Sequence, residues 1–154
     1  MITVRRAVLA DVPAMSRVLI ASITELCTDD HKGDPEAIAS WTSNKTLEGV
    51  TAMLEAPDNR MFVAERDGAV AAVGCVVGDD EIGLNYVDPA HRFKGVSRAL
   101  LDAMEAAIRE AGAIEGRLES TSTAHQFYLD AGWNDAGPLH TGRFIDAWPM
   151  RKAL

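Results

Sequence analysis

Residues 84–112 combine an apolar strand, a short basic loop and an amphipathic helix in direct succession. The strand ends at Pro89, which cannot continue a hydrogen-bonded ladder. The loop follows at 92–95, and from Val96 onward apolar side chains recur at helical spacing. Gly112 stands where a left-handed C-cap is expected. The unit therefore predicts a sheet covered by at least one helix, and the rest of the chain has to fit around it.

The loop of this unit has the composition of an anion-binding site. Several backbone N–H groups at the start of the helix have no intrahelical partner and lie at the positive end of the helix dipole. Gly95 permits close approach of the backbone to a phosphate, and Arg92 and Lys94 add positive charge. The alternative for this pattern is an ordinary helix start with solvated basic side chains.

Arg92, Gly95 and Ser97 stand at the spacing Arg-x-x-Gly-x-Ser, which resembles the acyl-CoA-binding motif of the GCN5-related N-acetyltransferases (the GNAT family). That family has Gly or Ala where this chain has Ser97. Residues 124–133 are similar to a second family pattern, Ala-x-x-Phe-Tyr-x-x-x-Gly-Phe, with Trp133 as the last aromatic residue. The two motifs lie in the central and later parts of the chain, and the first sixty or so residues match only in outline.

The resemblance implies acetyl transfer from acetyl-CoA to a primary amine by direct attack on the thioester. It also implies that the strand from Glu81 to Val87 separates from its neighbour, so that free amides hold the pantetheine and the Val87 amide supports the developing oxyanion. The family often has Asn at the position of Thr121. The residues that the resemblance assigns to the cofactor are Tyr86, Val87, Arg92, Phe93, Lys94, Gly95, Val96, Ser97, Arg98 and Thr121.

Two residues are the catalytic candidates. Tyr128 occupies the position of the family tyrosine that protonates the departing thiolate, although its spacing alone also fits a core tyrosine. Glu81, at the start of the same strand as Val87, is the candidate base for the amine, either directly or through water. A solvated turn residue is the alternative for Glu81, and His31 and His125 are reserve candidates.

The sequence gives fewer signals for the residues that contact the acceptor. Residues 28–35 are polar and rich in helix breakers, which predicts a loop at a substrate entrance, with Asp29 as a contact. Trp41 lies in the variable region that covers the acceptor pocket in the family, and it is the second candidate contact. A solvated connection for Asp29 and simple core packing for Trp41 are the alternatives.

Composition narrows the class of partner. The net charge of −8 argues against nucleic-acid binding, which needs a basic face, and favours a small cationic or neutral acceptor. The two Cys and four His residues show no metal-ligand spacing, so no metal is expected. No apolar run reaches the roughly 20 residues that span a bilayer, and the first residues lack the apolar stretch of a signal peptide. A cytoplasmic location and no membrane partner are therefore expected.

The order of elements predicts one N-acetyltransferase domain over residues 1–154, an α/β (α+β) three-layer sandwich. Its mixed, mostly antiparallel sheet should have six to seven strands, flanked by about four helices. Asp67-Gly68 predicts a type I′ hairpin turn between strands at 61–65 and 69–77. The last strands are expected at 141–145 and 147–150. A homodimer formed through late strands is a further possibility that the family resemblance raises.

Two other functions fit parts of the sequence. A non-catalytic sensor of acyl-CoA would keep the anion loop and tolerate Ser97 and Thr121, but it would have no need of Tyr128. A different phosphate-binding α/β domain would use the same helix start for a nucleotide. The chain contains neither Gly-x-x-x-x-Gly-Lys-Ser/Thr nor Gly-x-Gly-x-x-Gly, which argues against that second function.

Overall fold

Seven strands form one mixed sheet in the computed structural model, which describes residues 1–142 and 145–154. The strands follow the order β1-β2-β3-β4-β5-β7-β6 across the sheet. Their bounds are β1 Ile2–Arg6, β2 Asn59–Arg66, β3 Ala69–Val77, β4 Glu81–Val87, β5 Glu115–Ser120, β6 Asn134–Asp135 and β7 Trp148–Ala153. Every neighbouring pair is antiparallel except β4 and β5, which confirms the predicted mixed, mostly antiparallel sheet.

The hairpin between β2 and β3 turns at Asp67-Gly68, as predicted. Both residues have positive φ, 54° and 84°, which is the backbone of a type I′ turn. This turn matches the right-handed twist of the two strands, and β4 then extends the meander directly to the anion loop.

Six α-helices occur within residues 1–142 and 145–154, on the two faces of the sheet. Their bounds are α1 Val12–Leu26, α2 Thr28–His31, α3 Pro35–Thr42, α4 Leu47–Glu55, α5 Val96–Glu110 and α6 His125–Asp130. A core cluster on one face contains α1 and α4 side chains such as Leu19 and Val50, and a second cluster on the other face contains α5 and α6 side chains such as Leu100 and Tyr128. The sandwich therefore has the three layers that the sequence predicts.

The helix α5 packs closely on the centre of the sheet because β3 has a glycine beneath it. A Cβ atom on Gly74 would stand 2.7 Å from Met104 Sδ and 3.1 Å from Leu100 Cδ1, closer than packed atoms approach. The absence of that Cβ lets the buried Leu100 and Met104 rest directly on the strand. The N-terminus of α5, which carries the anion loop, is thereby fixed relative to β4.

Two details differ from the sequence predictions, and a third lies partly outside the described residues. The described residues contain six helices where about four were predicted: 35–54 forms two helices, within the predicted one or two, and α2 occupies part of the stretch predicted as a loop. The final strand β7 begins at Trp148 and continues to Ala153, three residues beyond the predicted end. The strand predicted at 141–145 falls partly on residues 143 and 144, which lie outside the described residues, while His140 and Ala147 form an isolated bridge.

Candidate active site

The two strands that the sequence places at the site separate from each other. Parallel pairing of β4 with β5 includes two residue pairs, Glu81 with Arg117 and Ile82 with Leu118. Beyond them the strands diverge, and a cavity of about 50 Å³ opens between them. The predicted separation of β4 from its neighbour is therefore present in the structure.

A bulge in β4 decides which backbone groups face this gap. Ile82 pairs with Val76 and Leu84 pairs with Cys75, so Gly83 is an extra residue on β4. Beyond the bulge, the Asp88 amide donates to the Ala71 carbonyl on β3 (2.8 Å). Because N–H direction alternates along a strand, Tyr86 and Leu84 also face β3, and the amides of Asn85 and Val87 face the gap.

A larger cavity of about 360 Å³ adjoins the gap at the end of β4. Its walls come from the last turn of α1, the end of β4, the loop before α5 and the start of α6. The lining residues include Ser22, Cys27, Asn85, Tyr86, Val87, Arg92, Gly95, Ser97, Thr121 and Tyr128. Cavity and gap together form a continuous groove from the anion loop to the sheet interior, because Asn85, Tyr86, Thr121, Ala124 and Tyr128 line both.

The loop before α5 has the conformation of an anion site. Gly95 has φ 83°, and Phe93 also has positive φ, 63°, which is uncommon for a residue with a side chain. Alternation of left-handed and right-handed residues in such a loop turns successive N–H groups toward one concavity at the helix N-terminus. Phe93 is 87% exposed, and the Arg92 guanidinium carbon lies 4.5 Å from the centroid of its ring.

A nearby carboxylate does not cancel the charge of this loop. Asp88 caps the 3₁₀ turn that precedes the loop by accepting from the Ala90 amide (3.0 Å), and it pairs with Arg17 of α1 (3.0 Å). Burial raises the pKa of Asp88, but the Ala90 amide and Arg17 outweigh burial and hold this pKa below its usual value. Asp88 therefore ties α1 to the loop and leaves Arg92 to supply its positive field, whereas Arg98 pairs with Asp102 of α5 (3.0 Å).

Tyr128 enters the groove from the helical layer of α5 and α6. Its ring is buried, packed edge-to-face on Trp133 and Phe127, and its hydroxyl accepts a hydrogen bond from Asn85 Nδ2 (3.1 Å). Burial raises the pKa of Tyr128 to about 12. The phenol is therefore protonated at neutral pH and presents its hydroxyl at the point where cavity and gap meet.

The structure brings together nine of the ten residues that the sequence assigned to the cofactor. Lys94 is exposed and does not line the cavity. The nine that line it are Tyr86, Val87, Arg92, Phe93, Gly95, Val96, Ser97, Arg98 and Thr121. Thr121 also organises α6, because its Oγ1 accepts from the Ala124 amide (3.1 Å).

The other candidate proton carriers lie apart from this meeting point. Glu81, at the first position of β4, pairs with Arg117 of β5 (3.4 Å) and lines neither the cavity nor the gap. His125 binds Asp135 (2.6 Å) and stacks on Trp148. His31 is buried between the Ile23 carbonyl (2.9 Å) and the Gly33 amide (3.0 Å), which fixes its tautomer.

The two candidate acceptor contacts have different surroundings. Asp29 is exposed on α2 and lines neither cavity. Trp41 packs edge-to-face on His31, with centroids 6.3 Å apart, and it also lies close to the hydroxyl of Tyr86. Burial raises the pKa of Tyr86. Trp41 therefore lies behind Tyr86, which lines the cavity and the gap, and does not line either of them itself.

The sequence does not predict the roles of Asn85 and Asp30 in shaping the site. Asn85 was passed over as an ordinary strand residue, although a polar side chain within the apolar run of β4 was the available signal. Asp30 accepts from the amides of Ser122 (2.7 Å) and Thr123 (3.2 Å), which joins α2 to the loop between β5 and α6. No local sequence pattern indicates that contact, because Asp30 and Ser122 are 92 positions apart in the chain.

The described residues contain neither a metal-binding cluster nor a membrane-spanning helix. Within 1–142 and 145–154, no group of three or more His, Cys, Asp or Glu side chains is arranged to hold a metal ion. In the same part of the chain, no helix combines the length and apolar character needed to cross a bilayer.

Comparison with known families identifies the fold. A family model described as an acetyltransferase (GNAT) domain matches residues 27–154, which is more than half of the chain. No curated protein matches the chain in a sequence search.

Solved structures with the same architecture cover nearly the whole chain. A GCN5-related N-acetyltransferase from Rhodopseudomonas palustris superposes with a TM-score of 0.88 at 22% identity, covering 99% of this chain and 95% of the other. The PaiA N-acetyltransferase from Thermoplasma acidophilum, solved with coenzyme A, gives 0.79 at 19%, covering 100% and 99%. YncA from Salmonella typhimurium, described as a putative acetyltransferase with its cofactor acetyl-CoA, gives 0.69 at 19%, covering 100% and 94%.

Proposed function

The chain belongs to the GNAT family of acetyltransferases, and on that premise we propose that it moves the acetyl group of acetyl-CoA to a primary amine. One observation carries the proposal. A single groove runs from the helix N-terminus behind Gly95 to the gap between β4 and β5, and the Tyr128 hydroxyl lies where its two parts meet. Phosphate binding and proton donation to sulfur are thus available at two points of one groove.

The diphosphate of acetyl-CoA fits the loop before α5. The free amides of the first helical turn donate to phosphate oxygens, and Arg92 adds positive charge. The pantetheine arm then follows the groove into the gap, where the Asn85 amide faces it. These contacts hold the thioester in place. Positioning of this kind can lower the activation barrier of a bimolecular reaction by about 7 to 11 kcal/mol.

The Val87 amide is the proposed oxyanion donor. It faces the gap at the end of β4, so a thioester carbonyl beside it gains a hydrogen bond as negative charge develops on oxygen. The neutral amine attacks the carbonyl carbon, a C–N bond forms, and the C–S bond breaks. The Tyr128 hydroxyl then gives its proton to the departing thiolate.

The acceptor is an amine that arrives protonated, since a lysine-like amine has a pKa near 10.4. Its nitrogen loses two protons in the overall reaction, one that balances the proton taken up by sulfur and one that leaves to solvent. A base near the gap is therefore needed. Glu81 was predicted for this task, but it stands six positions before Val87, about 20 Å along the strand. From there Glu81 acts only through a chain of water molecules.

Trp41 and Asp29 are proposed to serve the acceptor from the α1 side of the sheet. Trp41 supports Tyr86, which lines the gap, and Asp29 adds negative charge on α2 beside that region. An acidic protein with an aromatic wall favours a small cationic amine over a polyanion.

Two linked measurements test this function. Thermal unfolding with acetyl-CoA, with ATP and NAD as controls, should show stabilisation by acetyl-CoA alone. A ligand at about 100 times its dissociation constant adds about 2.7 kcal/mol, which moves the Tm by several degrees in a domain of this size. Release of the CoA thiol is then measured with a panel of primary amines. Amine-dependent release identifies the enzyme, whereas stabilisation without release with any amine would identify a sensor of acyl-CoA.

A further inference from the structure

We propose that Glu119 is the base that deprotonates the acceptor amine and that His140 positions it. This inference rests on the proposed acetyltransferase function and identifies the group that takes the proton from the amine. Glu119 follows Leu118, the last β5 residue paired with β4, so it stands where the two strands separate. It lines the gap together with Tyr86 and Tyr128.

Glu119 and Tyr128 approach the gap from opposite faces of the sheet. Leu118 packs in the core cluster under α5, and alternation along β5 places its neighbour Glu119 on the other face, that of α1. Tyr86 packs in the cluster of that same face, whereas Tyr128 belongs to the cluster under α5. A thioester lying in the gap therefore has an acid on one side and a carboxylate on the other.

The placement of Glu119 and Tyr128 on opposite faces of the sheet suits direct attack of the amine on the thioester. The amine enters on the face of Glu119 and Tyr86 and gives one N–H proton to the Glu119 carboxylate, which frees the nitrogen lone pair. Attack on the carbonyl carbon then drives the thiolate out toward Tyr128 on the other face. Glu119 returns its proton to solvent, for which its exposure of 56% provides a path.

His140 holds one oxygen of this carboxylate. Its Nδ1 lies 3.1 Å from Glu119 Oε1, and the backbone of His140 is itself fixed by two hydrogen bonds to Ala147 (2.8 and 2.9 Å). The second carboxylate oxygen remains available for the amine. His140 does not line the gap, so it acts through Glu119 and does not touch the acceptor.

The other charged groups along this face of β5 are already engaged. Arg117 pairs with Asp80 (3.2 Å) and Glu81 (3.4 Å), and Glu115 pairs with Arg151 of β7 (3.8 Å). Opposite Glu119 on β7 stands Pro149, which carries no charge. From α2, Asp30 is bound to the loop before α6. Among the carboxylates of β4 and β5, Glu119 is the one that faces the gap.

The test compares Glu119→Gln with Glu115→Gln, a matched change on the same strand, the same face and a similar exposure of 51%. Acetyl transfer to 1,4-diaminobutane, glycinamide and an aminoglycoside is measured from pH 6 to 10, with Glu81→Gln in parallel. We expect Glu119→Gln to lower kcat/KM about 100-fold at neutral pH, and the loss to shrink as pH rises toward the amine pKa. Glu115→Gln should match the wild type. His140→Gln should lower kcat by a smaller factor and leave the KM for the amine unchanged, as expected for a residue that only positions Glu119.

Several results would overturn the inference. A Glu119→Gln enzyme within twofold of wild type, or a loss equal at every pH, would assign the carboxylate no role as a base. A larger, pH-dependent loss in Glu81→Gln would return that role to Glu81. Stabilisation by acetyl-CoA should persist in Glu119→Gln, which shows that the variant is folded and loaded. Wild-type protein that releases no thiol with any amine would overturn the proposed function and this inference together.

Discussion

Asn85 Nδ2 donates a 3.1 Å hydrogen bond to the hydroxyl of Tyr128, joining β4 to α6 at the inner end of the groove. The bond occupies a lone pair of the phenol oxygen and leaves its proton free for another acceptor. It also orients the hydroxyl between the cavity and the gap. The same strand that offers the Val87 amide to a thioester carbonyl therefore orients the acid that serves the thioester sulfur.

Tyr128→Phe tests the role of that proton. The ring stays packed on Trp133, so we expect the variant to fold, but kcat should fall at least 100-fold because the thiolate leaves without a donor. Steady-state kinetics with a saturating amine measure the effect, and stabilisation by acetyl-CoA should be unchanged. An unaltered kcat across the pH range would leave Tyr128 as a core residue only.

Gly95→Ala tests the backbone of the anion loop. A Cβ at this position would meet only Ile2 Cδ1, 3.9 Å away, so the substitution strains the positive φ without a steric clash. We expect a loss of about 1 kcal/mol in stability and a weaker affinity for acetyl-CoA, measured by titration calorimetry.

Gly112→Ala is the control for that change. Gly112 has φ 90°, has open space around its Cβ position and lies at the far end of α5. The Gly112→Ala variant should lose a comparable amount of stability and keep the wild-type affinity for acetyl-CoA. Equal affinities in the two variants would show that Gly95 serves the fold and not the cofactor.

The positive side chains of the loop make a separate contribution to binding. Arg92→Gln should raise the Kd for acetyl-CoA about tenfold, because a charge-assisted hydrogen bond to phosphate contributes about 1.5 to 3 kcal/mol. The difference from wild type should shrink at high salt, where charges are screened. Arg151→Gln, an exposed arginine on β7, is the comparison and should leave the Kd as it is. Equal behaviour of the two variants would contradict phosphate binding by Arg92.

Asp11 is predicted to make the stability of the fold depend on pH. It binds Arg5 through both oxygens (2.8 and 2.9 Å), and this pairing lowers the pKa of Asp11 from 3.8 despite its burial. A carboxylate with a lowered folded pKa stabilises the protein above its unfolded pKa and loses that contribution as pH falls through the folded value. Asp11→Asn should therefore cost about 2 kcal/mol at pH 7 and progressively less below pH 4.

Urea unfolding at pH 7, 5 and 3 measures that difference. Asp67→Asn is the control, because its partner is the exposed N-terminal amine and an exposed pair contributes little. A gap between wild type and Asp11→Asn that is the same at pH 7 and pH 3 would contradict the account.

Local signals explain which parts of the fold were predictable. The turn at Asp67-Gly68 and the helix from Val96 were predicted because residue type alone fixes backbone conformation there. The helix α2 was not, because it is held by Asp30 across most of the sequence. Asn85 and Glu119 were missed for a related reason. Which face or gap a strand residue meets depends on the Gly83 bulge and on where β5 leaves β4, and both are properties of the assembled sheet.

The most direct test of the central claim is the product balance of the reaction. Purified protein, acetyl-CoA and a reactive amine from the panel are incubated together, and free CoA and acetylated amine are both quantified by mass spectrometry. Transfer through the proposed groove predicts the two products in equal amounts, and predicts that both fall together in Tyr128→Phe. Free CoA without acetylated amine, or neither product with any amine, would contradict it.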